Sequence, residues 1–297
     1  MDNRDAVREF LASRRAKISP EQSGLPVYGA KRRVPGLRRG EVAMLAGVSV
    51  EYYTRLERGN LSGVSEGVLE AVARALQLDD AERSHLFDLA RAAAPGSRAR
   101  RRPRPAESVR RSVQLSLNAI TSAPAFVRNG RMDILAANPL GYALYSEMYA
   151  GAARPANHAR FIFLDARSHS FYPDWQRAAN DTVAILRTEA GRDPYDRGLT
   201  DLVGELSTRS EEFRTLWAAH NVREHYTGVK NLHHPVVGDL HLMYEAMDVS
   251  ADAGLSLLIY TAEPGSASED ALRLLASWAS TNRRVKEAEA AAAVDKV

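Results

Sequence analysis

The 297-residue chain contains no cysteine. Disulfides, thiolate catalysis and cysteine-type zinc sites are thereby excluded. No run approaches the ~18–20 uninterrupted apolar residues that a membrane-spanning helix needs. Met1-Asp2-Asn3-Arg4-Asp5 leads into an amphipathic segment that lacks the apolar core of a signal peptide. A cytoplasmic location is the expectation, with no membrane partner. Catalytic signatures are missing as well: there is no Gly-x-Ser-x-Gly, no phosphate loop and no Gly-x-Gly-x-x-Gly opening a helix after a strand. Scattered acids and bases select no catalytic pair, so no enzyme is expected.

What is present looks globular. The chain is 45% hydrophobic and 26% charged, ordinary for a soluble protein, and its length suits two domains. The net charge of +3 hides an asymmetry. Residues 1–95 hold 15 Lys/Arg against 13 Asp/Glu, residues 96–111 hold 7 against 1, and residues 112–297 hold 18 against 23. A basic front and an acidic rear are expected when one end meets a polyanion.

Residues 95–107 carry three prolines, a Pro-Gly pair and five arginines, which forbid a packed core and mark a linker. The linker arginines serve either as a solvated tether or as additional phosphate contacts. Before the linker, the periodicity predicts five helices, near 5–17, 37–46, 49–58, 65–76 and from 79–80 onward. After it, a helix near 108–121 precedes two apolar runs separated by Asn129-Gly130, a hairpin signal with positive φ at both turn positions. Residues 138–222 read as mainly helical. Strands follow near 228–233, 239–247 and 255–261, then a helix from about 268 to 284. The expected architecture is an all-α five-helix DNA-binding domain (1–94), the linker, an α+β PAS-like domain with an antiparallel sheet (108–285), and a tail (286–297).

The central constellation runs from Val42 to Gly59. Ala43 is small where two helices cross, and Gly47 permits a left-handed turn. Val48, Tyr53 and Leu56 pin the second helix to the core, while Ser49 caps its start and Gly59 ends it. This is a helix-turn-helix whose second helix turns Val50, Glu51, Thr54 and Arg55 outward as base contacts. Arg55 can take guanine O6 and N7 together, Glu51 can accept from cytosine N4, and Val50 or the Thr54 methyl can touch a thymine methyl. Phosphate contacts are assigned to Lys31, Arg32, Arg33, Arg38 and Arg39, with Ser49 and Tyr52. The bland readings are a solvated basic loop and a packing tyrosine.

Residues 1–94, through Arg32–Ala43, Ala46–Ser49 and Tyr52–Gly59, resemble the phage-repressor/Cro-like (XRE-type) helix-turn-helix. The segments 160–165, 172–175, 216–220, 234–238 and 260–265 resemble the MmyB-like ligand-binding domain. The resemblance implies a PAS-like sensor for a small, fatty-acid-like ligand, a homodimer, and DNA affinity that responds to that ligand. Gly40 departs from the helix-favouring residue expected at its position.

Phe161, Phe163, Trp175, Trp217, Tyr142, Tyr145 and Tyr244 are candidates to line the ligand pocket, though aromatics in such a domain commonly form plain core. Arg128 and Arg160 are candidates to anchor a carboxylate; surface ion pairs are the alternative for both. His220 and His225, and His233, His234 and His241, lack metal-ligand spacing, so neither a metal nor another cofactor is expected. The partners expected are double-stranded DNA, a small-molecule effector and a second copy of the chain. A C-terminal domain that senses a partner protein, or an enzyme joined to a DNA-binding domain, are the competing functions.

Overall fold

Side-chain caps decide where the N-terminal helices begin. The computed structural model describes residues 3–25, 34, 36–94, 108–151, 155–219 and 227–294. Its first five helices are α1 (Asn3–Lys17), α2 (Arg39–Leu45), α3 (Val50–Glu57), α4 (Glu66–Ala75) and α5 (Asp80–Ala93). Ser49, Ser65 and Asp79 accept from the backbone N–H of Tyr52, Val68 and Glu82 at the starts of α3, α4 and α5. Such caps are typically worth ~1 kcal/mol each. The apolar faces of α1, α3, α4 and α5 then close on one core that includes Val7, Leu11, Tyr53, Val72 and Leu86. The all-helical N-terminal region expected from periodicity is therefore present.

The linker expected at 95–107 lies outside the described residues; from residue 108 onward come α6 (Arg111–Ala119), β1 (Ala125–Asn129), β2 (Asp133–Ala137), α7 (Pro139–Leu144), α8 (Ser146–Tyr149) and β3 (Ala156–Asn157). They are followed by α9 (His158–Leu164), α10 (Arg167–Phe171), α11 (Trp175–Arg192), α12 (Arg197–Arg209) and α13 (Glu211–Ala218). The chain then forms β4 (Thr227–His234), β5 (Gly238–Asp248), β6 (Leu255–Thr261) and α14 (Ala267–Val294). The six strands make one antiparallel sheet in the order β3-β2-β1-β6-β5-β4. This is the expected α+β arrangement.

Strand alternation sorts the side chains. On β1, Ala125 and Val127 pack toward Leu117 of α6, while Phe126 faces Tyr145, His158 and Tyr260. On β5, Leu240, Leu242 and Tyr244 are buried and Met243 and Met247 are exposed.

By their contacts, the residues fall into two compact units, Met1–Arg102 with Val183–Glu224, and Pro103–Thr182 with His225–Val297. One boundary between them falls within α11. In the first unit, the end of α11 carries Arg187, whose guanidinium lies 4.1 Å from the Trp217 ring centroid and donates to the Trp217 carbonyl. Arg192 of the same helix lies 3.6 Å from Asp88 of α5.

Three local readings need correction. The β1–β2 turn places its left-handed residue at Met132 (φ 65°), not at Asn129 and Gly130. Met132 N–H donates to the Asn129 carbonyl at 3.0 Å, so Gly130 and Arg131 occupy the centre of the turn and the loop holds three residues. Asn129 Oδ1 stabilises this longer form by accepting from the N–H groups of Arg131 and Asp133, the local competition that Asn is suited to. The two-residue strand β3 lies inside the stretch read as helical; a pair of residues carries no period. Finally, α14 continues through Val294, where a tail was expected from 286, because the Ala- and Glu-rich end is strongly helix-forming.

Candidate nucleic-acid interface and ligand groove

The turn between α2 and α3 has the geometry its residues dictate. Ala43 is buried, Gly47 adopts φ 66°, and the Val48 N–H closes the turn on the Ala43 carbonyl at 3.0 Å. Gly59 ends α3 at φ 91°, and a Cβ there would lie 2.5 Å from the Arg4 carbonyl oxygen. Tyr53 and Leu56 are buried as expected, and Val48 is half-buried.

The opposite face of α3 is open. Val50, Glu51 and Arg55 are exposed and Thr54 is partly so. The Arg55 guanidinium lies 4.7 Å from the Tyr52 ring centroid, a cation–π contact that restrains the arginine before any partner arrives. Ser49 is exposed at the start of α3, with its hydroxyl occupied by the Tyr52 N–H at 3.0 Å.

Of the residues assigned to phosphate, Arg38 and Arg39 are exposed, whereas Lys31, Arg32 and Arg33 lie outside the described residues. Arg39 is not simply solvated. Its Nε donates to Glu57 Oε1 at 3.1 Å and its Nη2 lies 3.0 Å from the same oxygen. Arg15 of α1 binds the same carboxylate through Nε and Nη2, both at 2.9 Å, and donates to the Leu37 carbonyl through Nη1. Glu57 is 1% exposed. Burial pushes its carboxyl up, but the hydrogen bonds and charges of Arg15 and Arg39 outweigh that and hold it below the ordinary carboxylate range. The sequence reading gave Glu57 no role. Its only local signal was an acid in the last turn of a helix, where the helix dipole disfavours it.

The second unit contains an open groove of about 1280 Å³. It lies among the end of α6, β2, α7, α8, β3 and α14, with Leu140, Tyr142, Ser146, Tyr149 and Trp278 in its wall. Asn138 lies just behind it, next to the lining residue Pro139. The asparagine is fully buried at the start of α7; Oδ1 accepts from the N–H of Ala125 and Gly141, and Nδ2 donates to the carbonyls of Ile120 and Ala123. Tyr142 and Tyr149 pair with ring centroids 4.8 Å apart.

Most of the residues proposed for the ligand pocket do not line this groove. Tyr145 and Tyr244 flank Tyr260, with centroids 6.2 and 5.9 Å from it, and the Tyr145 and Tyr260 hydroxyls are 2.9 Å apart. This cluster is buried core, and burial raises the hydroxyl of Tyr260 to about 12. Arg128 is half-buried, and its charge acts on Tyr172, Tyr260 and His158. Phe163 and Trp175 form a separate pair, with the indole N–H donating to Ile162 and Ser168. Arg160 is half-buried, its backbone N–H bound by Asn157 at the start of α9. Trp217 belongs to the first unit, against Arg187. Of the aromatic candidates only Tyr142 lines the groove. Trp278, which does line it, was given no role in the sequence reading; it stands alone among small residues in Ala276-Ser277-Trp278-Ala279-Ser280, a pattern that leaves space beside a large ring.

A helix-turn-helix family model matches residues 8–86, and the model for the MmyB-like transcription regulator ligand binding domain matches residues 109–275. The chain belongs to the MmyB-like transcription regulators. No curated protein matches it. The regulator therefore pairs a DNA-binding motif with a domain that takes a small-molecule effector, and its family is one of regulators, not enzymes.

One serine stands close to a histidine. Ser146 Oγ lies 3.4 Å from His234 Nε2, which resembles a nucleophile beside a base. Yet His234 Nδ1 accepts from the Val236 N–H, which places the imidazole proton on Nε2, where it is donated to the Ala143 carbonyl at 3.0 Å. A ring in that tautomer has no lone pair to offer Ser146. Of the other histidines, His233 and His241 are bonded to Asp239 and Asn231, and His220 and His225 lie outside the described residues. No group of three metal-ligating side chains occurs among the described residues.

Proposed function

We propose that the regulator is a one-component sensor of the XRE type, acting in the cytoplasm as a homodimer. In this reading α3 enters the major groove and reads bases with Val50, Glu51, Thr54 and Arg55. Lys31, Arg32, Arg33, Arg38, Arg39, Ser49 and Tyr52 grip phosphates, Arg39 with the Nη1 edge that Glu57 leaves over. The division into a DNA-binding domain at 1–94 and a PAS-like sensor at 108–285 belongs to the same reading. The observation that carries it is the capped helix α3, whose inner face is locked into the core while Val50, Glu51 and Arg55 stand exposed.

A small apolar effector, fatty-acid-like or otherwise, occupies the groove walled by Leu140, Tyr142 and Trp278, and its binding changes the affinity for DNA. Arg55→Ala tests base reading by comparing operator DNA with random DNA of equal length. The expected outcome is a loss of about 1–3 kcal/mol on the operator with relaxed preference at one base pair. Equal weakening on both DNAs would remove Arg55 from base recognition.

A further inference from the structure

We infer that the outer face of β4 and β5 is where two copies of this chain meet, each laying the exposed side of its α6 across the other's sheet. The inference rests on the proposed homodimer and assigns its contact surface. Strand pairing puts Val229, Met243, Glu245, Met247, Leu257 and Ile259 on one face of the sheet, with Val229 opposite Met243 and Met247 opposite Leu257. Ala125 and Val127 of β1 share that face, paired with Ile259 and Leu257. The chain covers only the β1 side of it. There Leu117 of α6 closes on Ala125, Val127 and Leu255, and the half-buried Leu257 and Ile259 mark the edge of the covered part. Beyond that edge Val229, Met243 and Met247 are 36%, 40% and 45% exposed. Apolar side chains left open side by side mark a contact surface, and methionine is enriched at such contacts.

Helix α6 identifies the occupant. Leu115 and Leu117 are two residues apart, so they lie on roughly opposite sides of the helix. Leu117 is buried against the chain's own sheet, whereas Leu115 is 58% exposed. Arg111 lies one turn before Leu115 on the same side and is exposed too. No acid occurs in α6, while the outward positions of β4 and β5 carry Asp239 and Glu245 and neither lysine nor arginine. A helix side with a leucine and a cation thus matches an apolar strip flanked by carboxylates, and one chain carries both. Such self-complementarity is what a twofold contact requires. In it, Leu115 of each copy packs on Met243 and Met247 of the other, and Arg111 meets Glu245.

Sedimentation of the full chain over a concentration series tests this, with wild type expected to be dimeric. Leu115→Asp and Met243→Asp, both at exposed positions, should each weaken the dimer at least about thirtyfold. Arg111→Glu and Glu245→Arg should each weaken it about tenfold, and combining them in one chain should restore it. Restoration separates a lost contact from lost folding. Weakening by the single charge variants that persists in the combined one would overturn the docking of α6 on this face. A dimer that all these variants leave at wild-type strength would also overturn it, keep the homodimer, and give the strip to a different partner protein. A wild-type chain that sediments as a monomer throughout would instead sink the homodimer, and this interface with it.

Discussion

In the helical unit, the buried carboxylate of Glu57 is met by two guanidinium groups, while in the α+β unit the buried imidazole of His158 has an Nδ1 without a hydrogen-bond partner among the described residues. The first group keeps its charge and falls below its ordinary pKa. The second gives up its charge: burial, reinforced by the nearby charges of Arg128 and Lys230, pushes it down to about 3. The contrast follows what surrounds each group. A reading head must hold α1, α2 and α3 in one geometry, and a directional ion network ties all three through Arg15, Arg39 and Glu57. In the α+β unit the rings of Phe126 and Tyr145 pack on His158, a setting that suits only the neutral imidazole.

The sharpest way to break this contrast is Glu57→Leu. It leaves the Arg15 guanidinium, 16% exposed, without its carboxylate, and the loss of one partner from a buried pair costs about 3–5 kcal/mol. Urea unfolding of the variant should show that loss; an unchanged midpoint would mean the network stabilises nothing. In the α+β unit the corresponding test is Asn138→Ala. It strands the N–H groups of Ala125 and Gly141 and the carbonyls of Ile120 and Ala123, at a cost of about 2–3 kcal/mol read from urea unfolding. A variant that retained full stability would show that water replaces the amide there.

The smallest effect separates the two units by pH. His158 has a lowered folded pKa, so the unfolded chain binds more protons than the folded one between about 6.5 and about 3. Stability contributed by the neutral ring is present above the upper value and is lost as pH falls through that window. Glu57, also lowered, contributes stability that persists to more acid pH and is lost only as pH drops through its depressed folded value. His158→Phe should therefore reduce the slope of stability against pH from 7 to 5 by about one proton, measured by denaturation at each pH. Glu57→Gln should leave that slope alone and flatten the curve only below the ordinary carboxylate range. A His158→Phe slope equal to wild type would show that the imidazole is protonated inside the fold.

Much of the DNA-binding motif was legible because its determinants are local. A cap such as Ser49 bonds three residues ahead, Gly47 answers to its own φ, and Tyr53 and Leu56 follow the period of one helix. The strand at Leu255–Thr261 was legible for the same reason, as a short β-branched and apolar run bounded by turn residues. Met132 was not, because the choice between a two- and a three-residue turn was made by Asn129 Oδ1 reaching both Arg131 and Asp133.

By itself the chain's sequence determined that there is a capped, glycine-turned helix pair with Val50, Glu51 and Arg55 outward, and an antiparallel α+β region after it. The helix pair rests on interactions within a few residues and the strands on their local alternation, where periodicity and side-chain type suffice. The tertiary structure decided the rest: that Arg39 answers to Glu57, that Trp217 stands with Arg187 and not with Tyr145, and that the open groove lies between α7 and α14. Those outcomes depend on which surfaces meet across tens to hundreds of residues, and packing between distant segments leaves no period in the sequence to read.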